Sequence, residues 1–154
     1  MAISEQQEQT YEFPIDPPMP EVLPPTASVR EVEPLHYLSC LHFHRENIPR
    51  FVEQPLVEAC QMLFDKNVRT TLTSANRHDR VAVMFIDYDT LTPANRTVAG
   101  QIGRVRPIPD TSCSLVQIEI PISADSTVGS VSADAAAVAE LFEAQPAEMI
   151  AHAR

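Results

Sequence analysis

Leu56, Ala59, Cys60, Leu63 and Phe64 recur at i, i+3, i+4, i+7 and i+8, the spacing that gathers apolar side chains on one stripe of a helix. It predicts a helix over residues 55–66. Pro55 fits the first turn, where its missing N–H is not needed, and Asn67 suits a left-handed stop. On this stripe Cys60 is a core residue. Residues 114–122 follow the other period. Val116, Ile118, Ile120 and Ile122 alternate with Gln117 and Glu119, which predicts a strand with one wet face. Pro121 cannot donate to a ladder, so this strand either ends there or lies at an edge. The near-continuous apolar run VAVMFIDY over 81–88 reads as the central strand. The threonine-rich stretch 68–74 reads as its neighbour across a polar turn at 75–80.

Thr92 followed by Pro93 is a helix start, a hydroxyl cap followed by a residue preset for the first turn. Gly103 marks the end of this helix. Ala94, Val98, Ala99 and Ile102 form its expected buried stripe, with Arg96 and Arg104 outward. A last helix is expected from near Ser132, with Asp134 in its first turn. It would bury Ala135, Val138, Leu141 and Phe142, and Pro146 would close it. Residues 35–47 fit two readings. As a strand they put His36, Leu38, Cys40, His42 and His44 on one face, and as a helix they align His36, Cys40 and His44. Tyr37 and Phe43 favour the strand. Residues 1–34 hold seven of the fourteen prolines and show neither period, so they read as an extended arm. Tyr11, Phe13, Ile15, Met19, Val22 and Leu23 make that arm apolar enough to dock on its own domain or on a partner.

The expected fold is α+β, a two-layer sandwich of one mixed or antiparallel sheet of three or four strands packed by about three helices. The arm occupies residues 1–34, a single domain residues 35–146 and a short tail residues 147–154. A length of 154 residues with 44% hydrophobic residues is enough for one core. The net charge of −10 argues against nucleic-acid partners, which need clustered cations. No apolar run reaches the ~18 residues of a membrane span, and a cytoplasmic address is expected. Cys40, Cys60 and Cys113 show no CxxC spacing and read as reduced thiols.

Charge is unevenly spread. Residues 1–60 carry ten acids against three bases, residues 69–106 six arginines against three acids, and residues 107–154 seven acids against one arginine. Within the basic middle, Arg69, Ser74, Asn76, Arg77, His78 and Arg80 are the candidates for holding a small anionic ligand. Arg96, Arg104 and Arg106 are further cations in the same region. His42 and His44, with Asp87 or Asp89 from the end of the central strand, are the candidate metal ligands, because imidazole and carboxylate suit zinc. His36 and Cys40 lie close to them in sequence. No GxSxG elbow, phosphate-binding loop, dinucleotide fingerprint or HExxH helix occurs, so no catalytic residue and no cofactor is assigned. The leading expectation is a non-enzymatic binding or protein-interaction module, with a protein partner or self-association through the arm. The alternatives are a small metal-dependent hydrolase built on the His/Asp set, and an acidic inhibitor or immunity-type protein that binds a basic partner.

Overall fold

The computed structural model describes residues 16–19, 44–75 and 80–151. In chain order these form a 3-10 turn (Arg45–Asn47), α1 (Ile48–Phe51), α2 (Gln54–Asp65), β1 (Thr70–Ser74) and β2 (Val81–Asp87). Then come α3 (Pro93–Ile102), β3 (Arg104–Pro107), β4 (Ser114–Pro121), α4 (Val128–Glu140) and α5 (Glu148–Ala151). The fold is α+β. Among the described residues the sheet is antiparallel throughout, in the order β1-β2-β4-β3.

One apolar cluster joins the two layers. α2 supplies Leu56, Ala59, Cys60 and Leu63, and α4 supplies Val131, Ala135 and Ala139. The sheet supplies Ala82, Met84 and Ile86 from β2 and Val116, Ile118 and Ile120 from β4. The α2 stripe and the β4 alternation are thus arranged as their periods require. Asn67 adopts φ 64°. The Val68 amide donates to Leu63 O and the Asn67 amide to Phe64 O, a Schellman closure that satisfies two carbonyls at the end of α2.

Of the two readings of Pro121 the strand's end holds: it is the last residue of β4, opposite Val81, and β4 is an interior strand flanked by β2 and β3. Other expectations need correction. The sheet also gains a strand, β3, where sequence showed only outward arginines. All four of its residues are exposed, so no burial pattern betrays it. It follows α3 directly because Gly103 lets the backbone pass close to β4: a Cβ there would lie 2.8 Å from the Gln117 carbonyl oxygen.

On α3 the buried positions are Asn95 and Ala99, and Ala94 is exposed. α4 starts at Val128, four residues before Ser132, and ends at Glu140, well before Pro146. Leu141, expected in the core, is 54% exposed. The early start is explained by a capping box in which Ser130 takes the place usually held by Glu or Gln. Thr127 Oγ1 accepts from the Ser130 amide at 3.0 Å, and Ser130 Oγ accepts from the Thr127 amide at 2.9 Å.

The described part of the proline-rich stretch, residues 16–19, docks on this same helix terminus. Asp16 accepts from the Gly129 amide through Oδ1 and from the Thr127 hydroxyl at 2.8 Å through Oδ2. Pro17 O accepts from the Val128 amide, and Met19 is 2% exposed within the core cluster. A carboxylate at a helix N-terminus satisfies orphan amides and complements the dipole.

Polar side chains tie the remaining turns. Gln145 Oε1 accepts from the Thr92 amide at 3.1 Å and from Asn95 Nδ2 at 2.9 Å. Its Nε2 donates to Asn67 O at 3.1 Å and to Thr90 O at 2.7 Å. Asn95 completes the set with reciprocal bonds to the Glu143 backbone, both at 2.9 Å. Thr92 caps α3 as expected, accepting from the Asn95 amide at 3.3 Å. Gln145→Ala strands four partners at once and should lower stability by at least about 3 kcal/mol. Thr92→Ala, losing one long cap bond, should cost about 1 kcal/mol. Denaturant unfolding of the two variants checks the order, and equal losses would mean that the network is not what fixes these turns.

Candidate functional site

Because the helices gather on one side of the sheet, alternation along each strand directs every second residue to the opposite side. Val81, Val83 and Phe85 of β2 lie there half-buried, outside the core cluster that holds Ala82, Met84 and Ile86. Register extends this outer face across the sheet in rows. Arg104, Gln117, Phe85 and Thr71 stand opposite one another in turn, and so do Arg106, Leu115 and Asp87. The Asp87 amide donates to Arg69 O at 2.9 Å, which adds Arg69 to the second row. The face therefore carries an apolar row along β2, with Leu115, Gln117 and the exposed Glu119 beside it on β4, arginines on β3 at one side and the start of β1 at the other.

Arg69 is only 6% exposed. Its Nη1 donates to Phe64 O at 2.9 Å, and its Cζ lies 3.8 Å above the Phe64 ring centroid. The guanidinium thus caps the C-terminus of α2 and is stacked on an aromatic face. Its Nε is buried without a hydrogen-bond partner, and so is the Thr71 hydroxyl two residues on. Burial pushes the Arg69 pKa down to about 10, against the pull of Asp65. Asp65 itself is held by Arg45, whose Nε and Nη2 reach its two oxygens at 2.8 and 3.1 Å.

The other anion candidates do not converge with Arg69. Ser74 and Arg80 stand on either side of residues 76–79, with Ser74 at the far end of β1, roughly 15 Å away at about 3.3 Å per strand residue. Asn76, Arg77 and His78 lie outside the described residues. Arg80 is exposed with φ 60°. Arg96 donates to Asp89 O at 3.2 Å and lies 4.8 Å above the Tyr88 ring centroid. Arg104 and Arg106 stand exposed on β3.

The candidate metal ligands are dispersed into local roles. Asp87 Oδ1 accepts from the Asp89 amide at 3.2 Å, and Asp89 Oδ2 accepts from the Ser114 amide at 2.8 Å. The two carboxylates thereby stitch the turn after β2 to the start of β4. His44 is exposed, its Nδ1 3.8 Å from Glu46. His36, Cys40 and His42 lie outside the described residues. Among those described, no three His, Cys, Asp or Glu side chains gather as a metal set, and no helix is long and apolar enough to cross a membrane.

Sequence reasoning missed Thr71, Val83 and Phe85 as one surface. The alternation of 81–88 would have separated Val83 and Phe85 from Met84, but both sets are apolar, so only pairing shows which side the helices cover. No family model matches this chain, and neither a characterised protein nor a solved structure does.

The two described cysteines differ in environment. Cys113 is exposed. Cys60 is fully enclosed, and burial pushes its thiol up to about 11, although the Thr70 and Thr73 hydroxyls favour the thiolate. Alkylation of the native protein followed by mass mapping should therefore modify Cys113 and spare Cys60 until unfolding. Because the folded thiol holds its proton more tightly than the unfolded one, stability should fall as pH rises from about 9 to about 11. A Cys60→Ala variant should lack that slope. Rapid native labelling of Cys60 would show that α2 does not seal it.

Proposed function

We propose that this chain is a small protein-interaction module, without catalytic chemistry of its own, that receives an extended polypeptide segment on the outer face of its sheet. The observation that carries this reading is the one-sided packing of the fold. Among the described residues α2, α3 and α4 bury their apolar stripes against one side of the sheet, while Val81, Val83, Phe85 and Leu115 remain half-buried on the other. Fully burying an aliphatic or aromatic side chain is worth roughly 1.5–3 kcal/mol. Covering the exposed halves of four such residues therefore stabilises a complex by several kcal/mol before its costs.

The rows of the face also support a reading of the partner. A polypeptide laid along β2 meets an apolar side chain at every second position, matching its own period of two. Arg104 and Arg106 are exposed beside Gln117 and Leu115, so acidic residues in that segment find complementary charge. The carboxylates that a hydrolase would use are engaged with turn amides, which leaves the interaction reading ahead of the hydrolytic one.

A random-peptide display library selected on the full-length protein should enrich sequences in which apolar and acidic residues alternate. Phe85→Thr keeps a β-compatible residue on the outer face and should weaken the enriched peptides by about tenfold or more. Absence of enrichment, or peptides that bind the Phe85→Thr variant equally well, would overturn the proposal.

A further inference from the structure

The start of α4 is capped before anything docks on it. A helix opens with amides that have no acceptor inside it, and the Thr127–Ser130 box satisfies two of these reciprocally, those of Thr127 and Ser130. The amides of Val128 and Gly129 are left over. Residues 16–19 take both: Pro17 O accepts from the Val128 amide, and Asp16 Oδ1 accepts from the Gly129 amide.

Further contacts fix the direction and register of the docked segment. Asp16 Oδ2 accepts from the Thr127 hydroxyl at 2.8 Å, and the Met19 amide donates to Ser126 O at 3.3 Å. Pro18 pairs with Thr127 as an antiparallel bridge. Backbone bonds in both directions, a carboxylate at a helix N-terminus and an apolar anchor at a fixed spacing are the means by which extended peptides are recognised. The anchor here is Met19, 2% exposed within the core cluster and three residues after Asp16. The seat also selects by shape. A Cβ on Gly129 would lie 2.6 Å from Asp16 Oδ1, so the carboxylate lies where any other residue would put a side chain. Pro17 and Pro18 restrict the backbone before docking, which reduces the entropy lost on it. Asp16, Pro17, Pro18 and Gly129 are all exposed. A segment therefore reaches the seat from solvent, and only Met19 has to enter or leave the core.

We propose that the start of α4, with the socket that holds Met19, is a recognition seat for an extended segment of the pattern Asp-x-x-Met. Residues 16–19 of the chain occupy it as a latch, and a competing segment of the same pattern opens that latch. The seat lies in the helix layer, so this inference is independent of the reading of the outer sheet face.

The test uses a fluorescent peptide with the sequence of residues 11–22 and a control peptide carrying Asp16→Asn. A full-length Asp16→Ala, Met19→Ala double variant, whose seat is empty, should bind the first peptide saturably by anisotropy. The control should bind about tenfold more weakly, having lost a hydrogen bond to a charged group. Wild-type protein should also bind the first peptide about tenfold more weakly or worse, because its own tethered arm competes at an effective concentration on the order of mM. Gly129→Ala added to the double variant should abolish binding while the melting temperature stays level or rises, since alanine favours a helix over glycine. Should the double variant fail to fold, the wild type decides: excess peptide should shift the Met19 methyl resonance saturably toward its unfolded position.

Dimers of the wild type that grow with concentration and are absent from Gly129→Ala would identify a second copy's arm as the competing segment. An emptied variant that ignores the peptide, or one that binds it equally well with Gly129→Ala, makes residues 16–19 a fixed part of the fold and overturns the latch. A Met19 resonance that millimolar peptide does not move has the same consequence.

Discussion

The Gln145 carboxamide is the polar constraint on which the arrangement of elements depends. Its two acceptor and two donor positions are all used, and they tie the segment after α4, where Gln145 itself lies, to two further stretches of chain: the turn after α2 and the start of α3 with the turn before it. The Gln145 backbone joins the same turn after α2, its amide donating to Lys66 O and its carbonyl accepting from Asn67 Nδ2. Lys66 adds bonds from Nζ to the Ala139 and Phe142 carbonyls at the end of α4. Apolar packing of α2 on α4 sets how close the helices lie. This polar set determines where each chain segment enters and leaves the layer, because a buried amide group left unpaired costs more than an apolar misfit of the same size.

The regular elements with a clean period were legible in the sequence, and the irregular ones were not. The stripe from Leu56 to Leu63, the alternation from Val116 to Ile122 and the Thr92–Pro93 start all rest on local physics that tertiary contacts leave intact. β3 was invisible because its four residues take their conformation from pairing with β4 and from the clearance at Gly103, neither of which is encoded in their own hydrophobicity. The start of α4 was hidden by Gly129, a poor helix former whose small size makes room for the Asp16 carboxylate. Asn95 and Gln145 read as surface residues by composition, since nothing local marks a buried amide whose partners are about 50 residues away. The candidate site was legible only in part. Arg69 stood among the anion candidates, but Ser74 and Arg80 lie at the far end of β1 from it, and nothing local marks Arg69 or the Thr71 hydroxyl as buried.

Arginines at three depths show why a charge pattern cannot be read as a binding surface. Arg45 lies in water against Asp65, where solvent screens the pair and its net worth is small. Arg96 rests on Tyr88 and a backbone oxygen. Arg69 is enclosed, and its lowered pKa follows from lost hydration rather than from a partner. The same side chain is thus a solubilising group, a stacking group and a stored donor set, according to how much water each has kept.

The anchoring of residues 16–19 on the beginning of α4 also fixes an order of events during synthesis. Asp16 meets Thr127 and Gly129 across 111 and 113 positions of chain. The first described residues to leave the ribosome therefore wait for nearly all of the rest before they find their seat. Such long-range contacts are slow to form. Until then Met19 stays wet and the amides opening α4 rely on the Thr127–Ser130 box alone. Closure of the core cluster around Met19 is accordingly a late step, which cannot precede the emergence of the start of α4, and until then the nascent chain must tolerate an incomplete core.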